Sequence, residues 1–212
     1  MAEFFERYSL VGEEILYLCC ARSAQTHGEA DFPPAARYNE AFARYHSYST
    51  DPGNESQQYL VPIAEEEVFA LTEAMEHWVT THLAPALRAD AVNLVGFTAS
   101  FCQVFGSVFA ARHLRRIGVP NTVLLFGGSS FSLPEGRRTL AAWGLDGLIV
   151  KGAGEAPLAR LCEAALALPG GIEEAALLPA LVETGGQNLA RVRDEHVEVV
   201  LGLSQDFLNR LP

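Results

Sequence analysis

Three short stretches of small and hydroxyl-bearing residues could hold a polar ligand. They read TASFCQ at 98–103, GGSS at 127–130 and KGAGE at 151–155. Small residues let a ligand approach the backbone, hydroxyl groups both donate and accept hydrogen bonds, and free amides at a helix N-terminus bind anions. This chemistry suits a large polar cofactor that carries a phosphate. The candidate ligand-binding residues are Thr98, Ala99, Ser100, Phe101, Gln103, Gly127, Gly128, Ser129, Ser130, Gly152, Gly154 and Glu155.

Each stretch also has a purely structural interpretation. Glycines often follow strands because tight turns require them. Gln103 or Glu155 could cap a helix instead of touching a ligand. Neither glycine pair extends to GxGxxG, and no Walker lysine follows. Binding of a nicotinamide dinucleotide or of a nucleoside triphosphate is therefore poorly supported.

Two other classes of function are open. Cys102 follows a predicted strand at a predicted helix N-terminus, where nucleophilic thiols are often mounted, so a cysteine hydrolase or thiol transferase is one alternative. Its nearest candidate base along the chain, His113, would lie about 16 Å away along the helix, which is too far for a dyad. The other alternative is a cofactor-free module, whose aromatic-rich stretch at 32–48 binds a partner protein or a peptide.

Hydrophobic patterning predicts the elements that position these loops. Three apolar runs lack alternation, which is typical of strands covered on both faces and hence of a parallel sheet. The predicted strands are 92–98, 122–126 and 147–150, and the predicted helices between and after them are 102–117, 134–143 and 157–168. We therefore predict an α/β fold with a Rossmann-like parallel sheet flanked by helices over 91–168. Because the carboxyl ends of parallel strands meet at one edge, the three candidate loops should lie together.

The two flanks of this region differ from it. The sequence pattern of residues 1–90 predicts a helical region interrupted by an irregular loop. One further helix is predicted within that loop, at 37–45. Residues 169–212 predict a hairpin, with strands at 180–183 and 189–192 around a glycine turn, and then a linker.

Composition excludes several classes of partner. The net charge is −11, and arginines cluster only as adjacent pairs, which disfavours a nucleic-acid face and an anionic membrane surface. Every apolar run is shorter than the roughly 20 residues that span a bilayer, and no signal segment follows Met1. The four cysteines form no CxxC pair, which is typical of reduced thiols. We expect a cytoplasmic protein.

The stretch from Asp90 to Ala167 resembles the cobalamin-binding domain that precedes the radical S-adenosylmethionine barrel, especially in enzymes that mature ribosomally made peptides. The resemblance rests on VGFT at 95–98, on Gly127-Gly128, and on an element that runs from Asp146 to Gly154-Glu155. The 26 residues from Phe101 to Phe126 also fit the spacing between the Ser-x-Leu and Gly-Gly elements of the broader fold, although the Leu is missing. Lys151 stands where the family more often has a small residue.

The resemblance implies a cobalamin-binding domain of a radical S-adenosylmethionine methyltransferase or related peptide-modifying enzyme. Cobalamin would lie across the strand ends without a histidine ligand, because Gly53 occupies the histidine's place in the family's Asp-x-His-x-x-Gly motif. The sequence has no CxxxCxxC motif, so we expect no iron–sulfur cluster and no catalysis by this chain alone. The implied partners are a radical barrel domain and a peptide substrate.

The resemblance also predicts how this chain could associate with another chain. The family fold normally opens with a further strand and helix, and the resemblance implies that this sequence starts after them. A parallel sheet without its opening strand should expose an edge, which could pair with another chain or a second copy.

Overall fold

The computed structural model describes residues 12–29, 32–53, 61–88, 93–100, 103–152, 154–167 and 189–191. The helices are α1 Gly12–Thr26, α2 Pro33–Ala36, α3 Tyr38–Thr50, α4 Glu65–Trp78, α5 Ala84–Arg88, α6 Val104–Arg116, α7 Ser129–Ser132, α8 Pro134–Ala142 and α9 Glu155–Ala167, with a π-helical turn at Val79–Leu83 between α4 and α5. The strands are β1 Asn93–Thr98, β2 Thr122–Gly127, β3 Leu148–Val150 and β4 Leu189–Arg191. Within these ranges, no helix combines the length and the hydropathy needed to span a bilayer.

The strands form one sheet in the order β1-β2-β3-β4. β1, β2 and β3 are parallel, with Thr98 opposite Gly127 and Leu125 opposite Leu148. All four residues from Val123 to Phe126 are buried, as the apolar run in this strand predicts. The predicted α/β fold, with a Rossmann-like parallel sheet flanked by helices, is confirmed.

The predicted boundaries of this region lie close to the observed ones. Strand β2 extends one residue beyond the prediction, to Gly127, and helix α9 begins two residues earlier than predicted, at Glu155. Among the described strands, β1 pairs on one side only and forms an edge of the sheet. Strand β4 covers most of the second predicted hairpin strand and pairs antiparallel with β3. The first hairpin strand, at 180–183, falls outside the described residues.

The predicted irregular loop is more helical than expected. Helix α3 runs to Thr50, five residues past the predicted end, and α2 precedes it. Tyr38, Tyr45 and Ser49 recur at helical spacing and are buried. This buried stripe stabilises the helix despite the polar composition of the segment, because burial of an amphipathic face outweighs intrinsic propensity.

One hydrophobic core joins the N-terminal helices to the sheet region. It includes Ile15 and Leu18 of α1, Val68 of α4, Val108 of α6 and Phe126 of β2. Helix α1 packs against both α4 and α6.

A polar cluster around Glu76 fastens α1, α4 and α6 to one another. Glu76 accepts a hydrogen bond from the Ser23 hydroxyl and another from the Arg116 guanidinium at 2.9 Å, and His27 Nε2 lies 3.1 Å from the same carboxylate. Burial raises the pKa of Glu76, but the hydrogen bonds from Ser23 and His27 and the charge of Arg116 outweigh it, so the net shift is downward. The folded protein therefore holds Glu76 ionised at neutral pH.

His113 extends this cluster and is held neutral. Its ring is 5% exposed, with Nδ1 against the Arg116 guanidinium and Nε2 2.8 Å from Thr80 Oγ1. Because a guanidinium only donates hydrogen bonds, Nδ1 must accept and Nε2 must carry the proton. Burial, followed by the positive charge of Arg116, lowers the pKa of His113 below its ordinary 6.5.

We predict that this histidine makes the protein less stable as the pH falls below 6.5. In that range the unfolded chain binds a proton at His113 before the folded chain does, so acid favours unfolding. Urea unfolding between pH 7.5 and 5.5 should show a shallower loss of unfolding free energy in His113→Gln than in the wild type. His77→Gln, at an exposed position, is the control and should keep the wild-type slope. Equal slopes in all three proteins would contradict the prediction.

Candidate functional site

The described parts of the three predicted loops follow the carboxyl ends of β1, β2 and β3, which together form the carboxyl edge of the sheet. Thr98 ends β1 directly opposite Gly127, which ends β2. A Cβ added to Gly127 would lie 3.7 Å from the carbonyl oxygen of Val150, which ends β3. The carboxyl ends of the three parallel strands are therefore neighbours, which is where α/β sheets of this class bind ligands.

The first two loops are bonded to each other. The Ala99 amide donates to the Gly127 carbonyl at 2.9 Å, and the Ser130 amide donates to the Ala99 carbonyl at 3.1 Å. Gly128 has a φ of 86°, and a Cβ on it would lie 2.4 Å from the Ala99 carbonyl oxygen. Gly128 is therefore required by the contact between the loops, whether or not a ligand is present. Ala99 is fully buried in this contact.

The hydroxyl groups of the edge remain on its surface. Thr98, Ser100 and Ser129 are exposed, and Ser130 is half-buried. Gln103 bonds locally, because its Oε1 accepts the Ser100 amide at 3.1 Å. Phe101, Cys102 and Ala153 fall outside the described residues, so the nucleophile predicted at Cys102 stays a prediction.

The third loop combines an open turn with the start of a helix. Gly152 has a φ of 67° and is exposed. The Gly154 carbonyl accepts the Leu158 amide at 2.9 Å, which makes it part of the first turn of α9. Glu155 places a carboxylate in that turn, where it already complements the positive end of the helix dipole.

The N-terminus of α6 is also occupied by a carboxylate, which no local sequence pattern predicts. Glu13 Oε2, from α1, accepts the Phe105 amide at 3.1 Å. This contact joins residues 92 positions apart. An anionic group on a ligand would meet a negative charge there rather than free amides. A phosphate at this edge is therefore better placed beside the exposed hydroxyls than at the start of α6 or α9.

The surface at the strand ends combines small residues with exposed hydroxyls, which can both donate and accept hydrogen bonds. The helix termini are less suitable for an anionic group, because both carry carboxylates. Within the described ranges, no three His, Cys, Asp or Glu side chains lie together in a group that could hold a metal ion.

Comparison with known proteins adds no further assignment. No family model, no curated protein and no solved structure matches this chain.

The contact between the first two loops can be tested with glycine substitutions. We predict that Gly128→Ala lowers the unfolding free energy by about 2–4 kcal/mol, because the new methyl group combines left-handed backbone strain with a backbone clash. Gly118→Ala is the control: Gly118 has a φ of 63°, but nothing lies within 4 Å of an added Cβ. It should lose only about 1–2 kcal/mol from the strain alone. Equal losses in urea unfolding would contradict the close approach at Ala99.

Proposed function

We propose that this chain binds a corrinoid across the carboxyl edge of its parallel sheet. In this proposal it is the cobalamin-binding part of a radical S-adenosylmethionine methyltransferase or of a related peptide-modifying enzyme. The observation that carries the proposal is the meeting of three strand ends at one edge. At those ends stand the VGFT, Gly-Gly and Gly-x-Gly-Glu elements on which the resemblance rests.

The chain's own residues would bind and orient the ligand. Thr98, Ser100 and Ser129 are exposed and can hydrogen-bond its amide or phosphate oxygens. The turn at Gly152 leaves open backbone at the third strand end. When bound, methylcobalamin would supply a methyl group for transfer.

No histidine of the edge would serve as a cobalt ligand. The three loops contain none, and His113 already bonds through both ring nitrogens. Gly53, which stands in the family's histidine position, lies in a turn after α3 where its amide donates to Asp51 Oδ1 at 2.9 Å. Radical chemistry would come from a partner barrel domain, since this sequence carries no CxxxCxxC motif.

We predict that hydroxocobalamin binds the purified protein with a shift in its visible spectrum and co-elutes with it in gel filtration. Ser129→Trp places a large side chain on the exposed edge and should weaken binding by about tenfold or more through steric exclusion. Ala70→Trp adds the same side chain at an exposed position of α4 and is the matched control. Circular dichroism checks that both variants fold.

Two results would contradict the proposal. One is the absence of any spectral change or co-elution with the wild type. The other is binding that is equal in Ser129→Trp and Ala70→Trp, because the corrinoid would then lie away from the strand ends.

A further inference from the structure

A cavity of about 760 Å³ lies between α1 and α3, beside the first turn of α6. Its volume is in the range of sites that take small organic ligands. Helix α1 contributes Glu13 and Tyr17 to the wall, α3 contributes Tyr48, and α6 contributes Phe105. None of these residues belongs to the proposed corrinoid edge.

Aromatic rings form much of the cavity wall. Tyr17 and Phe105 meet edge to face, with ring centroids 5.1 Å apart, and Tyr17 also packs against Trp143. The Tyr45 hydroxyl donates to the Val61 carbonyl at 2.7 Å, which fixes that ring in place. Tyr48 also lines the cavity and is 56% exposed. The faces of such rings attract cations.

The charged groups of the wall favour a cation over an anion. Three carboxylates and two guanidinium groups line the cavity. Arg44 pairs with Glu40 at 2.8 Å, while Arg37 is exposed just before the start of α3. Glu13 and Glu14 stand together on the α1 side. An anion that entered among the rings would meet these two carboxylates.

Glu13 is a half-buried carboxylate with one unsatisfied oxygen. Its Oε2 accepts the Phe105 amide, whereas Oε1 is buried and makes no hydrogen bond within the described part of the chain. Burial raises the pKa of the Glu13 carboxyl above its ordinary 4.5, against the opposing effect of the Phe105 and Val104 amides. Because folding disfavours the ionised form, this group removes stability as the pH rises above 4.5.

Capping explains the bond to Phe105, and a carboxylate at this helix N-terminus also complements the helix dipole. Glutamine would accept the same amide without the cost of a half-buried charge. A carboxylate that costs stability beside a ligand-sized cavity is typical of a binding site.

We propose that the cavity binds a small organic cation, namely a primary amine carried on an apolar body. Its ammonium group donates to Glu13, whose Oε1 must turn from its buried position to reach the ligand, and its body packs among Tyr17, Tyr48 and Phe105. The site is separate from the corrinoid edge, so either proposal can fail without the other.

Three aromatic molecules of similar shape, which differ in the charge of their polar group, test this proposal when they are titrated into the wild-type protein at pH 7. NMR titration is expected to show saturable binding of 2-phenylethylamine with an affinity about tenfold or more above that of 2-phenylethanol. Phenylacetate, which carries the opposite charge, should bind more weakly than both. Equal binding of amine and alcohol, tighter binding of phenylacetate, or no saturable binding of the amine would overturn the proposal.

Glu13→Gln tests the residue that the proposal depends on. It keeps an acceptor for the Phe105 amide, so its unfolding free energy at pH 7 should equal or exceed that of the wild type. Its affinity for 2-phenylethylamine should fall by about tenfold, to that of the alcohol. Glu73→Gln, exposed on α4, removes the same charge elsewhere and should leave binding unchanged. Amine binding that survives in Glu13→Gln would refute the site.

A second variant keeps the test decisive if Glu13→Gln does not fold. Tyr48→Ala changes an exposed ring and should lower the affinity for the amine about threefold, because the apolar body of the ligand loses a packing contact. Unchanged affinity in this folded variant would count against the proposed position of the ligand.

Discussion

The burial of strand β2 on both faces is the constraint on which the rest of the structure depends. Leu124 and Phe126 have no exposed surface, and Phe126 stacks on Phe97 at 5.6 Å and meets Phe131 edge to face at 5.3 Å. A strand covered in this way offers solvent neither its side chains nor its backbone, which is bonded to the strands on either side. Within the sheet, the polar groups that could reach a ligand are therefore confined to the strand ends, where the candidate loops lie.

The same constraint explains why the loops are compact. With Thr98 opposite Gly127, the two chains leave the sheet side by side and bond to each other at once. Gly128 permits this contact because a side chain there would collide with the Ala99 carbonyl. The small residues at these strand ends therefore allow the two loops to pack against each other. The exposed hydroxyl groups around them remain available to a ligand.

The N-terminal helices do more than cover the core. The Glu76 cluster fixes α1 against α4 and α6 through Ser23 and Arg116. In that position α1 brings Glu13 to the amide of Phe105, which occupies a helix terminus that would otherwise attract an anion. The cavity lies between α1 and α3, beside this contact. The position of α1 therefore explains why the N-terminus of α6 is not free to bind an anion, and it also provides one wall of the proposed amine site.

The amino-acid sequence by itself determined the strands and helices between 93 and 167 apart from α7, because unbroken apolar runs, helical periodicity and glycine stops are local patterns. The short helix α7 at Ser129–Ser132 was not predicted, since these residues were interpreted as part of a loop. The sequence also determined that the loops share an edge, since that follows from parallel connection of successive strands. Only the tertiary structure decided the full length of α3, which depends on burial of Tyr38, Tyr45 and Ser49 against the core. It alone decided that Gly128 meets Ala99 and that Glu13 caps α6, because those contacts join residues far apart in the chain and no local pattern encodes them.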